Sequence, residues 1–145
     1  MYRLKPINFS SLFLLIFLFL SMTTCKKDKD EIPSVSVNIL IDPNSTQYLE
    51  LNAPGGYLYL TGGVRGIIVY RLSQNEFMAY ERDCPYQPSN SCALVEVEAS
   101  GLTLIDSCCG SKFIITDGSV INGPANRSLK YYNNTYDGNM LHIYN

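Results

Sequence analysis

The fold of this chain can be inferred from residues 83–113, which read DCPYQPSNSCALVEVEASGLTLIDSCCGSKF. A cysteine-bearing segment stands at each end of this stretch. Between the two segments, residues 95–98 and 102–106 alternate polar and apolar side chains around a glycine-containing turn, a pattern that predicts a β-hairpin. The sequence therefore predicts two cysteine loops joined by one hairpin. Loop one carries Cys84 and Cys92, and loop two carries Cys108 and Cys109.

The residues after loop two add a longer pattern. Gly110-Ser111-Lys112-Phe113 is followed by an Asp117-Gly118 turn and by Gly123-Pro124-Ala125. This layout resembles the cluster-binding subdomain of Rieske [2Fe–2S] proteins. In that family, loop one reads Cys-x-His and loop two reads Cys-x-x-His-Gly-Ser-x-Phe, before an Asp-Gly turn and a Gly-Pro-Ala segment. The resemblance covers residues 77–145 and implies a Rieske-like antiparallel β sandwich or barrel with a two-loop subdomain.

The ligand positions of that family are degenerate in this chain. Cys84 falls on the first ligand cysteine, and Tyr86 stands where the first histidine is expected. Asp106 replaces the second ligand cysteine, and Cys109 replaces the second histidine. A Rieske centre needs two imidazoles on one iron, whereas the only histidine of the chain is His142. The resemblance therefore implies a Rieske fold without its cluster.

The replacing residues have expected roles of their own. Asp106 is expected to accept hydrogen bonds from backbone amides of loop two, and Tyr86 to fill the volume of an imidazole and part of the cluster. We predict no cofactor and no metal, since the Cys-x2–4-Cys spacing of structural zinc sites is absent. The alternative is an all-cysteine [2Fe–2S] centre on Cys84, Cys92, Cys108 and Cys109.

The N-terminus has the pattern of an export signal. Arg3 and Lys5 precede the apolar run 12–20, which ends in small residues before Cys25. This run is shorter than the roughly 20 residues that span a bilayer, so it predicts a secretory signal peptide, residues 1–25. Cys25 resembles the cysteine of a loose lipoprotein box, similar to those of Bacteroidota-type lipoproteins, and is therefore the predicted site of lipidation.

The mature chain would start with a charged tether, residues 26–33, followed by a single domain, residues 34–145. The run after Cys25 resembles the signal that exports some lipoproteins to the outer face of the outer membrane. We therefore expect an outer-membrane lipoprotein that faces the periplasm or the cell surface. Loss of Arg3 and Lys5 would change the net charge from −2 to −4. Without a basic patch, nucleic acid is not an expected partner.

Outside the cytoplasm, the four cysteines of the domain are expected to be oxidised. Four cysteines allow three pairings. A bond between the adjacent Cys108 and Cys109 would be strained, and each of the other two pairings joins loop one to loop two. The resemblance favours one of them, because many Rieske proteins have a disulfide whose second cysteine directly precedes the second ligand histidine. It implies the pairs Cys92–Cys108 and Cys84–Cys109.

The rest of the domain is predicted to be all-β. Gly62, Gly63 and Gly66 predict a hairpin turn with positive φ, and no Lys-Ser/Thr follows them as in a phosphate-binding loop. His142 is expected to be a surface or edge residue. The predicted strands are residues 35–41, 48–51, 57–60, 67–71, 77–82, 95–98, 102–106, 113–116, 119–121, 130–135 and 140–144.

No nucleophile with its base, no paired catalytic carboxylates and no nucleotide fingerprint can be found in the sequence. We therefore expect a protein that is not an enzyme. The favoured hypothesis is a membrane-anchored binding or accessory module for an unidentified protein or small molecule. The alternative is an electron-transfer protein with a non-standard [2Fe–2S] centre.

Overall fold

The computed structural model describes residues 31–145. The predictions for the signal peptide, for Cys25 and for residues 26–30 of the tether lie outside this range. Within it, no helix is long and apolar enough to cross a membrane. The described chain forms a short 3-10 helix, Thr46–Leu51, and the following strands: β1 (Asn38–Ile41), β2 (Tyr57–Leu60), β3 (Ile67–Arg71), β4 (Phe77–Glu81), β5 (Val95–Val97), β6 (Thr103–Asp106), β7 (Lys112–Ile114), β8 (Val120–Asn122), β9 (Asn133–Tyr136) and β10 (Leu141–Tyr144).

The strands form three antiparallel sheets, with the orders β1-β10-β9, β2-β3-β4 and β5-β6-β7-β8. The predicted hairpin turn between β2 and β3 is confirmed, since Leu60 pairs with Ile67 and all three glycines of the turn have positive φ. The predicted hairpin between the two cysteine loops is also confirmed, as β5 and β6. The prediction of an all-β domain is therefore correct.

The β2-β3-β4 sheet lies between the two other sheets and is covered on both faces. All five residues of β3 are buried. Successive side chains of a strand point to opposite faces, and β3 and β4 divide accordingly between two apolar clusters. Cluster one contains Ile68, Tyr70, Tyr80, Leu104 and Phe113, and cluster two contains Ile67, Val69, Ala79, Leu141 and Ile143. This double burial explains why β3 is apolar at consecutive positions.

The strand predicted at residues 48–51 is wrong, because this segment is part of the 3-10 helix. Only Leu51 of the helix is buried, while Leu49 is 62% exposed. The segment lies between the turn at Asp42–Ser45 and Pro54, and short-range backbone hydrogen bonds hold it in the 3-10 conformation. Two of these run from the Tyr48 amide to the Ser45 carbonyl and from the Asn52 amide to the Leu49 carbonyl.

A buried carboxylate at the end of β4 holds the surrounding segments together. Glu81 accepts hydrogen bonds from the amides of Val64 (2.6 Å), Arg65 (2.9 Å) and Asp83 (3.0 Å) and from the Tyr132 hydroxyl (2.7 Å). Burial and the neighbouring carboxylate raise the pKa of Tyr132, so its hydroxyl remains a donor. A single side chain therefore fixes the β2–β3 turn and the start of loop one.

Candidate functional site

Loop one, residues 82–94, is attached to the body of the domain by Arg65. The Nε atom of Arg65 lies 2.8 Å from the Asp83 carboxylate. Its terminal nitrogens donate to the carbonyls of Ser91 (2.7 Å), Asn90 (2.7 Å) and Pro88 (3.3 Å). Burial raises the pKa of Asp83 to about 6, while Arg65 acts in the opposite direction. The Arg65 side chain therefore fixes loop one at Asp83, next to Cys84, and at residues 88–91.

Loop two, residues 107–111, is a tight turn closed by Asp106. The amide of Gly110 donates to the Asp106 carbonyl, and the amide of Cys108 donates to Asp106 Oδ1, both at 2.8 Å. This is the role expected for Asp106 from its position. Gly110 has φ 79°, a backbone conformation that residues with a side chain rarely adopt. Ser111 is fully buried, and its hydroxyl accepts a bond of 2.9 Å from the amide of Ala125.

The structure bonds Cys92 to Cys108 and so joins the two loops, as the resemblance implies. The second implied disulfide is not found. Cys84 and Cys109 are free thiols whose sulfurs lie 3.9 Å apart, whereas a disulfide needs about 2.05 Å. The Cys109 sulfur is turned towards polar neighbours instead, with Asp106 Oδ2 at 3.1 Å and the Ser111 hydroxyl at 3.0 Å.

The residues at three of the degenerate positions meet in space. One ligand atom each from Cys84, Asp106 and Cys109 lie within 4.8 Å of one another. Cys84 and Asp106 are fully buried, and Cys109 is partly buried. Burial, and then the hydrogen bond to Asp106, raise the pKa of the Cys84 thiol.

A cleft of about 250 Å3 opens onto this cluster, lined in part by Tyr86, Asp106, Cys109 and Pro124. Tyr86 is partly buried and packs against cluster one. Tyr86 therefore lines the cleft beside these three side chains, and its filling of the volume of an imidazole and part of an iron–sulfur cluster stays a prediction. A larger recess of about 660 Å3 runs along β2 and is lined by residues such as Tyr48 and Tyr57. It holds no cysteine or histidine.

His142 lies in a different sheet from the one that carries the two loops. Its strand, β10, is paired on both sides, so His142 is not on an edge strand, and its partly exposed side chain agrees with the expected surface position. The Nε2 atom lies 2.7 Å from Asn38 Oδ1, and the ring stacks on Tyr144 at 4.8 Å between centroids. Both contacts give the ring a structural role within the sheet.

The residues at the site do not fit a [2Fe–2S] cluster. A Rieske centre requires two imidazoles and two thiolates, and the three donors that meet here include no imidazole. An all-cysteine centre would need four thiolates, but Cys92 and Cys108 are consumed by their disulfide. The donor set therefore lacks both imidazoles of a Rieske centre and two of the four thiolates of an all-cysteine centre.

Two solved structures illustrate what this chain is similar to. The cyanobacterial plasma membrane Rieske protein of Synechocystis matches with a TM-score of 0.50 and 21% sequence identity, over 71% of this chain and 97% of its own. The E. coli protein NirD matches with a TM-score of 0.45 and 14% identity, over 75% of this chain and 98% of its own. No protein-family model and no curated protein matches the sequence. The first similarity confirms the predicted Rieske-like fold.

Several residues that shape the site were not identified from the sequence. Arg65 lies among the glycines of the predicted turn, a position that does not indicate its role, and no short motif indicates the partners of Ser111. One signal was present, because Glu81 and Asp83 place two carboxylates on one face at the end of an apolar strand. Buried charges require partners, so this spacing could have predicted a buried polar network.

Proposed function

We propose that this protein is a lipid-anchored, extracytoplasmic domain of Rieske-like fold that serves, without an iron–sulfur cluster, as a non-catalytic binding or accessory module. The observation that carries this proposal is that bonds within the domain close loop two and link the two loops. Asp106 caps loop two, and the disulfide of Cys92 and Cys108 supplies a covalent link between the loops. These bonds within the domain support loops that are held in place without a cluster.

The absence of enzymatic activity is part of the proposal. The buried ionisable groups beside the site already have structural partners. Glu81 accepts four hydrogen bonds, and Asp83 faces the Arg65 guanidinium. Groups bound in this way are poorly placed to exchange protons with a substrate. A preformed, partly open cleft between two fixed loops suits the binding of a partner or small molecule.

The absence of a cluster is tested on protein purified anaerobically from its native membrane. We expect colourless protein without acid-labile sulfide. About two irons and two sulfides per chain, together with visible absorption, would establish a [2Fe–2S] centre and overturn the proposal. In that case, the electron-transfer alternative would become the correct function.

The anchor is tested separately through Cys25. The Cys25→Ser variant should lose lipid labelling and leave the membrane fraction, because the thiol is the predicted attachment point. Thr24→Ala is the matched control, because alanine is usual at this position of a lipoprotein box, and it should remain labelled. Equal labelling of Cys25→Ser and the wild type would exclude this residue as the anchor. Protease added to intact cells would then distinguish the cell surface from the periplasm.

A further inference from the structure

We propose that Cys84, Asp106 and Cys109 form a binding site for one thiophilic divalent cation, of which Zn2+ fits best. This inference goes beyond the proposed function, because a single cation on two thiolates and a carboxylate is different chemistry from a cluster. The three side chains come from loop one, the end of β6 and loop two. Their ligand atoms already lie within 4.8 Å of one another.

The spacing of the donors matches tetrahedral zinc. With Zn–S bonds of about 2.3 Å, two sulfurs on one tetrahedral zinc are about 3.8 Å apart. The sulfurs of Cys84 and Cys109 are 3.9 Å apart. A sulfur and a carboxylate oxygen on the same ion would be about 3.5 Å apart, and Cys109 Sγ lies 3.1 Å from Asp106 Oδ2. These two distances therefore differ from the tetrahedral values by about 0.1 and 0.4 Å, and the third pair, Cys84 and Asp106, lies within 4.8 Å.

The ligand types select the class of cation. Thiolates prefer zinc and similar soft ions to magnesium or calcium, which take oxygen ligands. Two thiolates and one carboxylate carry three negative charges, of which a divalent ion offsets two. Cation binding thereby compensates the cost of ionising the fully buried Cys84.

Neighbouring groups orient two of the three ligands. The amide of Cys108 donates to Asp106 Oδ1 at 2.8 Å, which leaves Oδ2 directed at Cys109. The amide of Ser111 donates to the Cys109 sulfur at 3.4 Å, and the Ser111 hydroxyl lies 3.0 Å from the same sulfur. These donors would stabilise a metal-bound thiolate, as hydrogen bonds around metal ligands usually do.

The fourth coordination position opens onto the cleft. Asp106 and Cys109 both line the cleft, which has a volume of about 250 Å3, whereas Cys84 is fully buried and does not line it. Three protein ligands with one open position leave room for water or an exchangeable ligand. The cleft therefore provides both the entry path for the cation and the place where a further ligand would contact it.

Cobalt is the probe for the test, because Co2+ occupies zinc sites and has visible absorption. The full chain is purified anaerobically in detergent, without a reductant that would open the Cys92–Cys108 bond, and stripped of metal with a chelator. We expect one Co2+ to bind per chain, with a thiolate-to-cobalt charge-transfer band, and one equivalent of Zn2+ to displace it.

Variants assign the ligands. Cys84→Ser and Cys109→Ser should each reduce or abolish the charge-transfer band. Asp106→Asn should keep that band but weaken cobalt binding, and Ser111→Ala should weaken it roughly 10–100-fold. The matched control is Asp117→Asn. Asp117 accepts a hydrogen bond of 2.8 Å from the Ser119 amide, as Asp106 does from the Cys108 amide. Unlike Asp106, it is exposed and does not belong to the group of three ligands. This variant should bind cobalt like the wild type.

Three results would overturn the site: no cobalt binding at micromolar concentration, equal affinity in Asp106→Asn and Asp117→Asn, or a Cys84–Cys109 disulfide in the anaerobically purified protein. Circular dichroism and an intact Cys92–Cys108 bond exclude misfolding as the cause of a loss. The failure of the site is distinguishable from that of the proposed function, which depends on iron and sulfide content and on Cys25.

Discussion

The two ends of β4 are buried by different forces. At its start, Phe77 and Ala79 are surrounded by the apolar side chains of cluster two. At its end, Glu81 and the following Asp83 are as deeply buried but depend on hydrogen bonds and on the Arg65 guanidinium. Apolar burial needs only volume and shape, whereas a buried charge needs particular partners. The comparison predicts that the polar end, which supports loop one, is the more sensitive to substitution.

The largest effect is expected from Arg65→Met, which removes the cation beside Asp83. Asp83 is 1% exposed and Arg65 25% exposed, and removing the partner of a buried charge typically costs about 3–5 kcal/mol because that charge remains buried without a partner. Urea denaturation should show a loss of this size in the free energy of unfolding. Lys112→Met is the control, since it breaks a surface pair of 2.7 Å with Glu98 and should have far less effect. Equal losses in both variants would contradict the distinction between the two ends of β4.

The apolar side is tested by Leu141→Ala in β10. Leu141 is fully buried in cluster two, so the substitution should cost about 2–5 kcal/mol through lost contacts and a cavity. Leu40→Ala is the control on the neighbouring β1, because Leu40 is 61% exposed. Thermal unfolding monitored by circular dichroism measures both. If Leu40→Ala were as destabilising as Leu141→Ala, the assignment of cluster two as core would be wrong.

A smaller effect is expected when the two loops lose their covalent link. The double variant Cys92→Ser/Cys108→Ser opens a loop with a sequence separation of 16, which should cost about 3 kcal/mol on the chain-entropy model. Replacing both cysteines avoids an unpaired thiol that could exchange with Cys84 or Cys109. Denaturation of the wild type with and without reductant should show the same loss. No change in either experiment would contradict a stabilising role for this disulfide.

Strand positions were predicted well where the pattern is local. The stretch at Ile67–Arg71 agrees with its predicted bounds, and Phe77–Glu81 differs from its prediction by one residue. The predictions failed where burial rather than alternation determined the conformation. Val35 is apolar but 38% exposed and lies before β1, and the segment that ends at Leu51 became a 3-10 helix.

The site was predicted only in part for a related reason. The resemblance implied that Cys92 pairs with Cys108 and that Asp106 caps loop two, and both are found. It also implied a Cys84–Cys109 disulfide, where the structure has two free thiols beside a carboxylate. The resemblance therefore predicted which residues lie close together in space, but it did not predict the direction in which each side chain points.

The all-β class, the hairpin between the loops and the tight turns follow from the sequence, because a period of two and positive-φ glycines act over a few neighbouring residues. The tertiary structure alone decides which thiols are bonded and which are free. Cys84 and Cys109 are separated by 25 positions, and Arg65 and Asn90 likewise. Contacts over such separations depend on how the sheets pack and on which polar groups must be satisfied when they become buried, and no local pattern contains that information.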